Sequence, residues 1–206
     1  MTEKFVSRGF TGKRREAGDK KDRIPPGQYL TNDFPVLSAG PTPRIGPDEW
    51  MFSLSGMVKT QKTWTWEEFI DLPAKDWVVD ISCVTKWTHL DMHWKGVSLD
   101  TLFEQVELEP EAAFATAFSY GGYTTNLPIA DLLNNQAFIA YEYDGRPLAP
   151  DHGGPARLVV PHLYFWKSAK WVRGLNLMAS DRPGFWESLG YHNRGDYWKE
   201  QRYQGD

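Results

Sequence analysis

Cys83 is the only cysteine in this 206-residue sequence, and it directly follows the run Val79-Asp80-Ile81-Ser82. A single thiol cannot form an intramolecular disulfide or a multi-cysteine zinc site. Three roles stay open: a small buried apolar residue, a nucleophile beside a base such as a histidine, or one soft thiolate ligand of a metal. Because the preceding run is typical of a buried strand, we expect Cys83 at a strand end, where a rigid scaffold can present it to a pocket.

Two other segments carry groups suited to an anion. In His152-Gly153-Gly154-Pro155-Ala156-Arg157, the glycines allow close backbone approach with exposed N–H groups, and Arg157 is a planar bidentate donor. The run Lys167-Ser168-Ala169-Lys170 places two ammonium groups and a hydroxyl within one short stretch. A hairpin loop and a charged strand start would explain the same residues without any ligand, so both interpretations stay open.

His89 and His93 are spaced as a zinc-binding pair would be on a helix. The zinc peptidase motif requires Glu after the first histidine, where this sequence has Leu90, and Trp94 and Gly96 disfavour a long helix. We therefore interpret the two histidines as structural or pocket-lining residues.

Short apolar runs with turn residues between them predict the elements that must position these groups. Thr65 and Glu68 form a capping-box signature at the start of one helix. We predict strands at 50–58, 78–82, 113–118, 137–143, 157–160 and 172–178, and helices at 66–72, 98–106 and 129–133. The strands at 137–143 and 157–160 should pair. Many short strands mixed with short helices indicate an α+β fold.

The charge is divided unevenly along the chain. Residues 1–26 contain eight basic and four acidic side chains, whereas the remainder contains 15 basic and 23 acidic ones. We expect a basic, poorly structured arm at 1–24 and a single domain at 25–206. The acidic body argues against nucleic-acid binding, and no apolar run is long enough to span a membrane. Arg14-Arg15 has no apolar segment after it, so with an unpaired thiol we expect a cytoplasmic protein.

The ordered set of motifs resembles the molybdopterin domain of the sulfite oxidase superfamily. The resemblance covers residues 25–203, and is closest to small bacterial and archaeal sulfite oxidase-like proteins and to the catalytic subunit of the periplasmic methionine sulfoxide reductase. The matching runs are Cys83-Val84-Thr85-Lys86-Trp87-Thr88, 94–99, 119–123 with 127–128, 141–142 with 144–148, 151–161, 167–171, and 185–187 with 190–193. The resemblance implies a sulfite-oxidase-type fold of mixed β-sheets with short helices.

The resemblance also implies roles for particular residues. Cys83 would be the catalytic residue and the molybdenum ligand, with pterin sulfurs completing the coordination. The residues that would hold the cofactor are Cys83, Ser119, His152, Arg157, Ser168, Lys170 and Arg44. Those expected to line the substrate pocket are Trp87, His89, Tyr120, Tyr123 and Arg146. Animal and plant sulfite oxidases have sulfite-binding arginines just after the cysteine, where this chain has Thr85, Lys86 and Trp87.

The implied activity is two-electron oxygen-atom transfer at a molybdenum cofactor, on a small oxyanion or a sulfoxide-type substrate. The sequence contains no CxxCH, GxGxxG or GxxxxGK[ST] motif, so we expect no haem, no flavin and no second electron centre in the chain. Electrons would be exchanged with a separate redox protein. Two alternatives are a non-catalytic carrier of the molybdenum cofactor on the same fold and a cysteine hydrolase.

Overall fold

Two β-sheets form the body of the protein in the computed structural model, which describes residues 18–206. The strands in this part of the chain are β1 (Tyr29–Leu30), β2 (Met51–Gly56), β3 (Lys62–Thr65), β4 (Ala74–Ser82), β5 (Trp87–Ser98), β6 (Phe114–Ser119), β7 (Thr124–Pro128), β8 (Phe138–Tyr143), β9 (Arg146–Pro147), β10 (Arg157–Val159) and β11 (Val172–Met178). The α-helices are α1 (Trp66–Ile70), α2 (Leu99–Phe103) and α3 (Phe185–Ser188). Short 3₁₀ helices lie at Gly18–Arg23, Ile129–Asp131, Pro150–His152, Phe165–Lys167 and Tyr197–Lys199.

The first sheet is built around the long strand β5. Its order is β1-β5-β8-β10, with β4 also paired to β5 and β9 paired to β8. The second sheet has the order β3-β2-β11-β6-β7. All pairings are antiparallel except β1 with β5 and β2 with β11. Together with the short helices, this arrangement is the mixed α+β architecture that the sequence predicts.

Both faces of the first sheet are covered, as alternate residues of β8 show. Ile139 belongs to the apolar cluster between the two sheets, which also includes Leu158 and Leu175. Its neighbour Phe138 belongs to a second cluster on the opposite face, together with Cys83. Because successive strand residues point to opposite faces, this strand must be apolar on both. Cys83 therefore lies on the face that the C-terminal segment covers, since Tyr191 and Tyr197 belong to the same cluster.

Most predicted elements are present, with shifted ends. The capping box is confirmed: Thr65 Oγ1 accepts from the Glu68 N–H (3.3 Å), and Glu68 Oε2 accepts from the Thr65 N–H (2.8 Å). The predicted pairing of β8 with β10 is also confirmed. The predicted helices at 66–72 and 98–106 were too long, and the one at 129–133 is a single 3₁₀ turn. The sequence analysis predicted no strand for β3, β5 or β7.

Strand β5 explains the two histidines. Leu90, Met92 and Trp94 are buried, whereas His89 is partly exposed and His93 is exposed, so the segment alternates as a half-buried strand does. His89 and His93 are therefore structural residues of a strand and do not share a helix face. No group of His, Cys, Asp and Glu within residues 18–206 is arranged to hold a metal ion by itself.

The N-terminal arm is regular from Gly18, although the sequence predicted poor structure as far as residue 24. Arg23 bridges Asp80 and Asp91 (2.6 Å to each carboxylate), and Lys20 Nζ lies 2.9 Å from Asp91 Oδ2. Hydrogen bonds from Arg23 and then Lys20 lower the pKa of Asp91 to about 2. The rest of the predicted arm, residues 1–17, lies outside the described residues. No helix within residues 18–206 is long and apolar enough to cross a membrane.

Candidate active site

Cys83 occupies the turn that joins β4 to β5. Its N–H donates to the Trp87 carbonyl, and its own carbonyl accepts from the Lys86 N–H, at 2.9 Å in both cases. Lys86 has a φ of 75°, which closes the turn. These bonds fix the thiol at the end of β4, so the predicted position at a strand end is confirmed. The expectation of a buried strand is wrong, because Val78 is 58% exposed and only Ile81 and Ser82 of β4 are buried. Only 7% of the residue is exposed, and it lines the large cavity described next.

A cavity of about 590 Å³ opens over Cys83. Its wall is built by segments far apart in sequence: 34–43, 83–87, 120–123, 152–171 and 185–191. Three basic side chains (His152, Arg157 and Lys170) line one part of it, and most of the remainder is aromatic. The aromatic lining residues are Phe34, Trp87, Tyr120, Tyr123, Phe165, Trp166, Trp171, Phe185, Trp186 and Tyr191. The volume is ample for a small-molecule ligand.

Arg157 is the most deeply buried cation of the cavity, at 1% exposure. Its Nη1 donates to the His152 carbonyl and its Nη2 to the Ser168 carbonyl, both at 2.8 Å, and the guanidinium lies 4.0 Å above the Phe165 ring. Among the ion pairs of residues 18–206 none involves Arg157. Burial lowers the pKa of Arg157 to about 9. A buried charge that neutral groups alone support is well suited to an anionic ligand.

His152 and Lys170 complete the cationic part of the wall. Lys170 Nζ donates to the Asp151 carbonyl (2.7 Å), and the His152 ring stacks on Phe34 with centroids 3.8 Å apart. Burial, and then the Arg157 charge, lowers the pKa of Lys170 to about 8. Burial, followed by the charges of Arg157 and Lys170, lowers the pKa of His152 to about 4. Arg157 and Lys170 therefore carry the positive charge near neutral pH while His152 is neutral, and a bound anion would relieve the repulsion between the two cations.

The two glycines of this region act differently from the prediction. The Gly153 N–H donates to Pro150 (2.9 Å) and the Gly154 N–H to Ala149 (3.0 Å), so neither is free for a ligand. A Cβ on Gly153 would lie 2.9 Å from the Lys170 Cβ, and Gly153 has a φ of 106°. The glycine is therefore required because it lets the His152 loop pack against the Lys170 segment, which brings the cations together.

Only one lysine of the 167–170 run faces the cavity. Lys170 lines it, whereas Lys167 is fully buried elsewhere, 2.7 Å from Glu187 Oε1, so the idea of a two-lysine grip is wrong. Ser168 lines the cavity, but its hydroxyl accepts from the Val160 N–H (2.9 Å). Ser168 thus supports the wall through its carbonyl to Arg157.

The remaining predicted cofactor residues lie at or behind the margin of the cavity. Ser119 is buried immediately before the 120–123 turn, and its hydroxyl has no hydrogen-bond partner within the part of the chain that the structure describes. Arg44 is exposed and follows Pro43, which lines the cavity. The structure does not bring Ser119 or Arg44 to the cavity surface, so their cofactor roles stay predictions.

Three of the five predicted pocket residues line the cavity: Trp87, Tyr120 and Tyr123. His89 lies on β5 and Arg146 is exposed on the short edge strand β9. Neither residue lines this cavity, so their substrate-pocket roles stay predictions. Tyr120 Oη accepts from the Met51 N–H (2.6 Å), and Tyr123 Oη donates to the Trp166 carbonyl. Burial raises the pKa of Tyr123 well above its ordinary value. Both hydroxyls are thus tied to the wall.

Thr85 contacts the Cys83 thiol, a contact that the sequence did not predict. Its hydroxyl donates to Cys83 Sγ at 3.2 Å and lies in the cavity wall. Burial raises the pKa of the Cys83 thiol, and the Thr85 hydrogen bond opposes this rise. Within residues 18–206, Thr85 is the only side chain that hydrogen-bonds the sulfur, so no base activates Cys83 as the hydrolase alternative requires. The proline- and glycine-containing segment 34–43 was also missed, because it lacks periodicity.

We expect the metal-free protein to lose stability through His152 as the pH falls from about 6.5 to about 4. In this window the unfolded chain binds a proton that folded His152, with a pKa of about 4, does not bind. Urea denaturation at pH 7, 5.5 and 4.5 gives the free energy of unfolding of wild type and of His152→Gln. Because the carboxylates titrate in both proteins, the difference between the two free energies isolates the contribution of His152. As the pH falls, the free energy of unfolding of the wild-type protein should decrease relative to that of His152→Gln. Parallel curves would contradict the assignment.

Comparison with known proteins agrees with this arrangement. A Bacillus subtilis protein named as an uncharacterized oxidoreductase, YuiH, is 41% identical over 96% of this chain and all of its own length. The methionine-sulfoxide reductase catalytic subunit MsrP of Ralstonia nicotianae is 23% identical over 74% of this chain, which spans about half of that relative (51%). The sulfane dehydrogenase SoxCD of Paracoccus pantotrophus has the same fold, with a TM-score of 0.62 at 21% identity over 68% of this chain and 41% of its own.

The similarity to SoxCD confirms the predicted sulfite-oxidase-type fold. The sequence also matches the family described as "Oxidoreductase molybdopterin binding domain" over residues 39–186, which include the Cys83 turn and the basic residues His152, Arg157 and Lys170. Together with the Bacillus oxidoreductase, this match extends over most of the chain. The chain therefore belongs to the oxidoreductase molybdopterin-binding family and is an enzyme of that class.

Proposed function

We propose that this protein transfers an oxygen atom between a sulfoxide-type substrate and water, at a molybdenum–pterin cofactor whose protein ligand is Cys83. The observation that carries the proposal is the meeting of a buried thiol, the cations Arg157 and Lys170, and the His152 imidazole at one cavity. Neither feature alone would suffice, because a lone cysteine is usually an apolar residue and a single arginine is common at surfaces.

The residues of the cavity fit such a cofactor. A thiolate is a soft ligand suited to a metal that also binds pterin sulfurs. Arg157 offers a planar fork for a phosphate, and Lys170 and His152 add positive or donor groups beside it. When bound, the cofactor supplies the two-electron redox chemistry and the site of oxygen exchange.

The rest of the cavity favours a neutral substrate. This chain has Thr85, Lys86 and Trp87 where sulfite oxidases have arginines. The Thr85 hydroxyl is hydrogen-bonded to Cys83 Sγ, Lys86 is exposed and does not line the cavity, and Trp87 is buried. If His152, Arg157 and Lys170 hold the cofactor, the remaining wall is largely aromatic and carries no charge to bind sulfite. A sulfoxide combines an apolar body with one polar S–O group, which suits such a wall. MsrP and its relatives are named as sulfoxide reductase subunits, which supports the same substrate class.

The chain's own residues would mainly orient the substrate and exclude water. Tyr120 and Tyr123 are held by bonds to the backbone, so their rings form fixed walls. Thr85 would stabilise the charge on the Cys83 sulfur through its hydrogen bond. Electrons would come from a separate donor protein, as the word "subunit" in the names of two relatives suggests.

A substrate screen on protein produced in a cofactor-competent host tests the proposal. Molybdenum and pterin are first quantified, and turnover is then measured for sulfoxides and N-oxides with a reduced dye and for sulfite with an oxidised one. We expect kcat/KM for sulfoxides to exceed that for sulfite by at least about 10-fold, a difference of about 1.4 kcal/mol. Sulfite as the better substrate would overturn the substrate class. Bound cofactor without any turnover would favour the carrier alternative, and absence of molybdenum would refute the cofactor.

A further inference from the structure

A buried ion pair lies directly behind the aromatic part of the cavity wall. Lys167 Nζ is 2.7 Å from Glu187 Oε1, and both side chains are fully buried. Lys167 ends the 3₁₀ turn that follows Tyr164, and Glu187 lies on α3. Buried ion pairs seldom repay the cost of desolvation unless further hydrogen bonds satisfy them, so the partners of this pair indicate what it holds.

The pair joins three separate parts of the chain. Glu187 Oε1 accepts from Trp166 Nε1 (2.9 Å) and from Thr125 Oγ1 (2.8 Å). Lys167 Nζ donates to the backbone carbonyl of Asn126 (2.8 Å) and to its side-chain oxygen (3.0 Å). The same ammonium group donates to the Asn193 carbonyl. Strand β7, the Trp166 turn and the C-terminal segment are thereby fixed to one another.

Two of these parts, the Trp166 turn and the C-terminal segment, carry aromatic residues of the cavity wall. Trp166, Phe185, Trp186 and Tyr191 all line the cavity. The Tyr191 ring packs against Trp166 (centroids 5.1 Å apart) and against Trp186 (5.0 Å). The start of α3 also lies tightly on β7, since a Cβ on Gly184 would be 2.5 Å from the Thr125 Cα. The position of this wall therefore depends on the Glu187 carboxylate, whereas Cys83 and Arg157 are held by other bonds.

We infer that Glu187 is a positioning residue: its carboxylate, paired with Lys167, holds the Trp166 indole and the helix bearing Phe185 and Trp186 in place, and so sets substrate affinity without contributing to cofactor retention. The substrate part of this inference rests on the proposed function. The hydrogen bond from the Trp166 indole to Glu187 does not depend on the proposed function, so the positioning role and the proposed function can be tested separately.

Two double variants isolate the acceptor role of residue 187. Lys167→Met with Glu187→Gln and Lys167→Met with Glu187→Leu both remove the two charges together, so neither leaves a lone buried charge. The glutamine oxygen can still accept from Trp166 and Thr125, whereas leucine cannot. We call the double variant with Glu187→Gln the glutamine pair and the one with Glu187→Leu the leucine pair. The glutamine pair should keep KM for a sulfoxide within about twofold of wild type. The leucine pair should raise KM about 10-fold, which is the effect of losing one or two hydrogen bonds.

In both variants we expect kcat to change less than KM and molybdenum content to match wild type. A leucine pair with wild-type KM, or equal KM changes in the two pairs, would overturn the positioning role. If the leucine pair does not fold, Trp166→Phe removes the same indole donor but keeps an aromatic ring. A wild-type KM in Trp166→Phe would then refute the inference.

The indole signal of metal-free protein provides a readout that does not depend on turnover. In ¹⁵N-tryptophan-labelled protein, Trp166→Phe identifies the Trp166 indole N–H resonance. The chemical shift of this resonance should stay close to the wild-type value in the glutamine pair and change clearly in the leucine pair. An unmoved resonance in a folded leucine pair contradicts the inference. A moved resonance in a protein that turns over no sulfoxide would instead locate the failure in the proposed function.

Discussion

Replacement of Cys83 by alanine is expected to lower turnover per mole of protein by at least about 100-fold, since even indirect partners of metal ligands cost 10- to 100-fold when removed. Alanine removes the only thiol of the chain from the cavity, and no other soft side chain among its lining residues could replace it. Molybdenum content, EPR of the reduced protein and dye-linked turnover measure the result. Cys83→Ser should keep an oxygen ligand of similar size and give an altered EPR spectrum.

Thr85→Val is the matched control for the cysteine variants, because it keeps the ligand but removes the hydroxyl that donates to Cys83 Sγ. We expect it to retain molybdenum and to lose less activity than Cys83→Ala. An alanine variant with wild-type turnover and an unchanged EPR spectrum would show that Cys83 is a spectator, the first of the three roles open to a lone thiol.

Arg157→Met is expected to weaken cofactor binding about 10- to 150-fold, which corresponds to the 1.5–3 kcal/mol of a hydrogen bond to a charged group. Methionine keeps the apolar stem but loses the guanidinium that bridges the His152 and Ser168 carbonyls. Arg157→Lys should restore only part of the affinity, because an ammonium group cannot reproduce the planar fork. Pterin and molybdenum retained after dialysis measure the loss.

Arg182→Met serves as the control for the arginine variants, since Arg182 is exposed and does not line the cavity. The metal-free Arg157→Met protein should unfold at nearly the wild-type urea concentration. Removal of a buried charge that has no acidic partner in the described ion pairs offsets the lost hydrogen bonds. Wild-type cofactor retention by a folded Arg157→Met protein would contradict the assignment of Arg157 to the phosphate.

Local patterns predicted much of the fold because they report local physics. The Thr65–Glu68 capping box depends on residues within one turn, and it forms as predicted. Strands β8 and β10 were predicted from short apolar runs with turn residues between them, which are also local signals, and they pair as predicted. Strand β5 was missed although Leu90, Met92 and Trp94 alternate, because its polar residues were weighed as a possible zinc pair. The alternation of Leu90, Met92 and Trp94 with polar residues was visible in the sequence and would have predicted this strand.

Placement of side chains at the site was less predictable. Arg146 belongs to a run that matches the family and His89 directly follows another, yet both are outside the cavity. Which face of a strand lines a pocket depends on the segments that pack against the strand. For His89 and Arg146, segments distant in the sequence decide this. The aromatic residues Phe34 and Tyr191 were missed for the converse reason, since they reach the cavity from segments distant in the chain.

The sequence alone determined the chemistry available to this protein: one thiol at a strand end, an arginine and lysines suited to an anion, and motifs in the order of a molybdopterin-binding family. Only the tertiary structure decided how these groups are used. Lys167 and Lys170 are the same residue type three positions apart, but one is buried against Glu187 and the other faces the cavity beside Cys83. Residue type and periodicity are local properties, whereas burial and the choice of a charge partner depend on segments that meet only when the chain is folded.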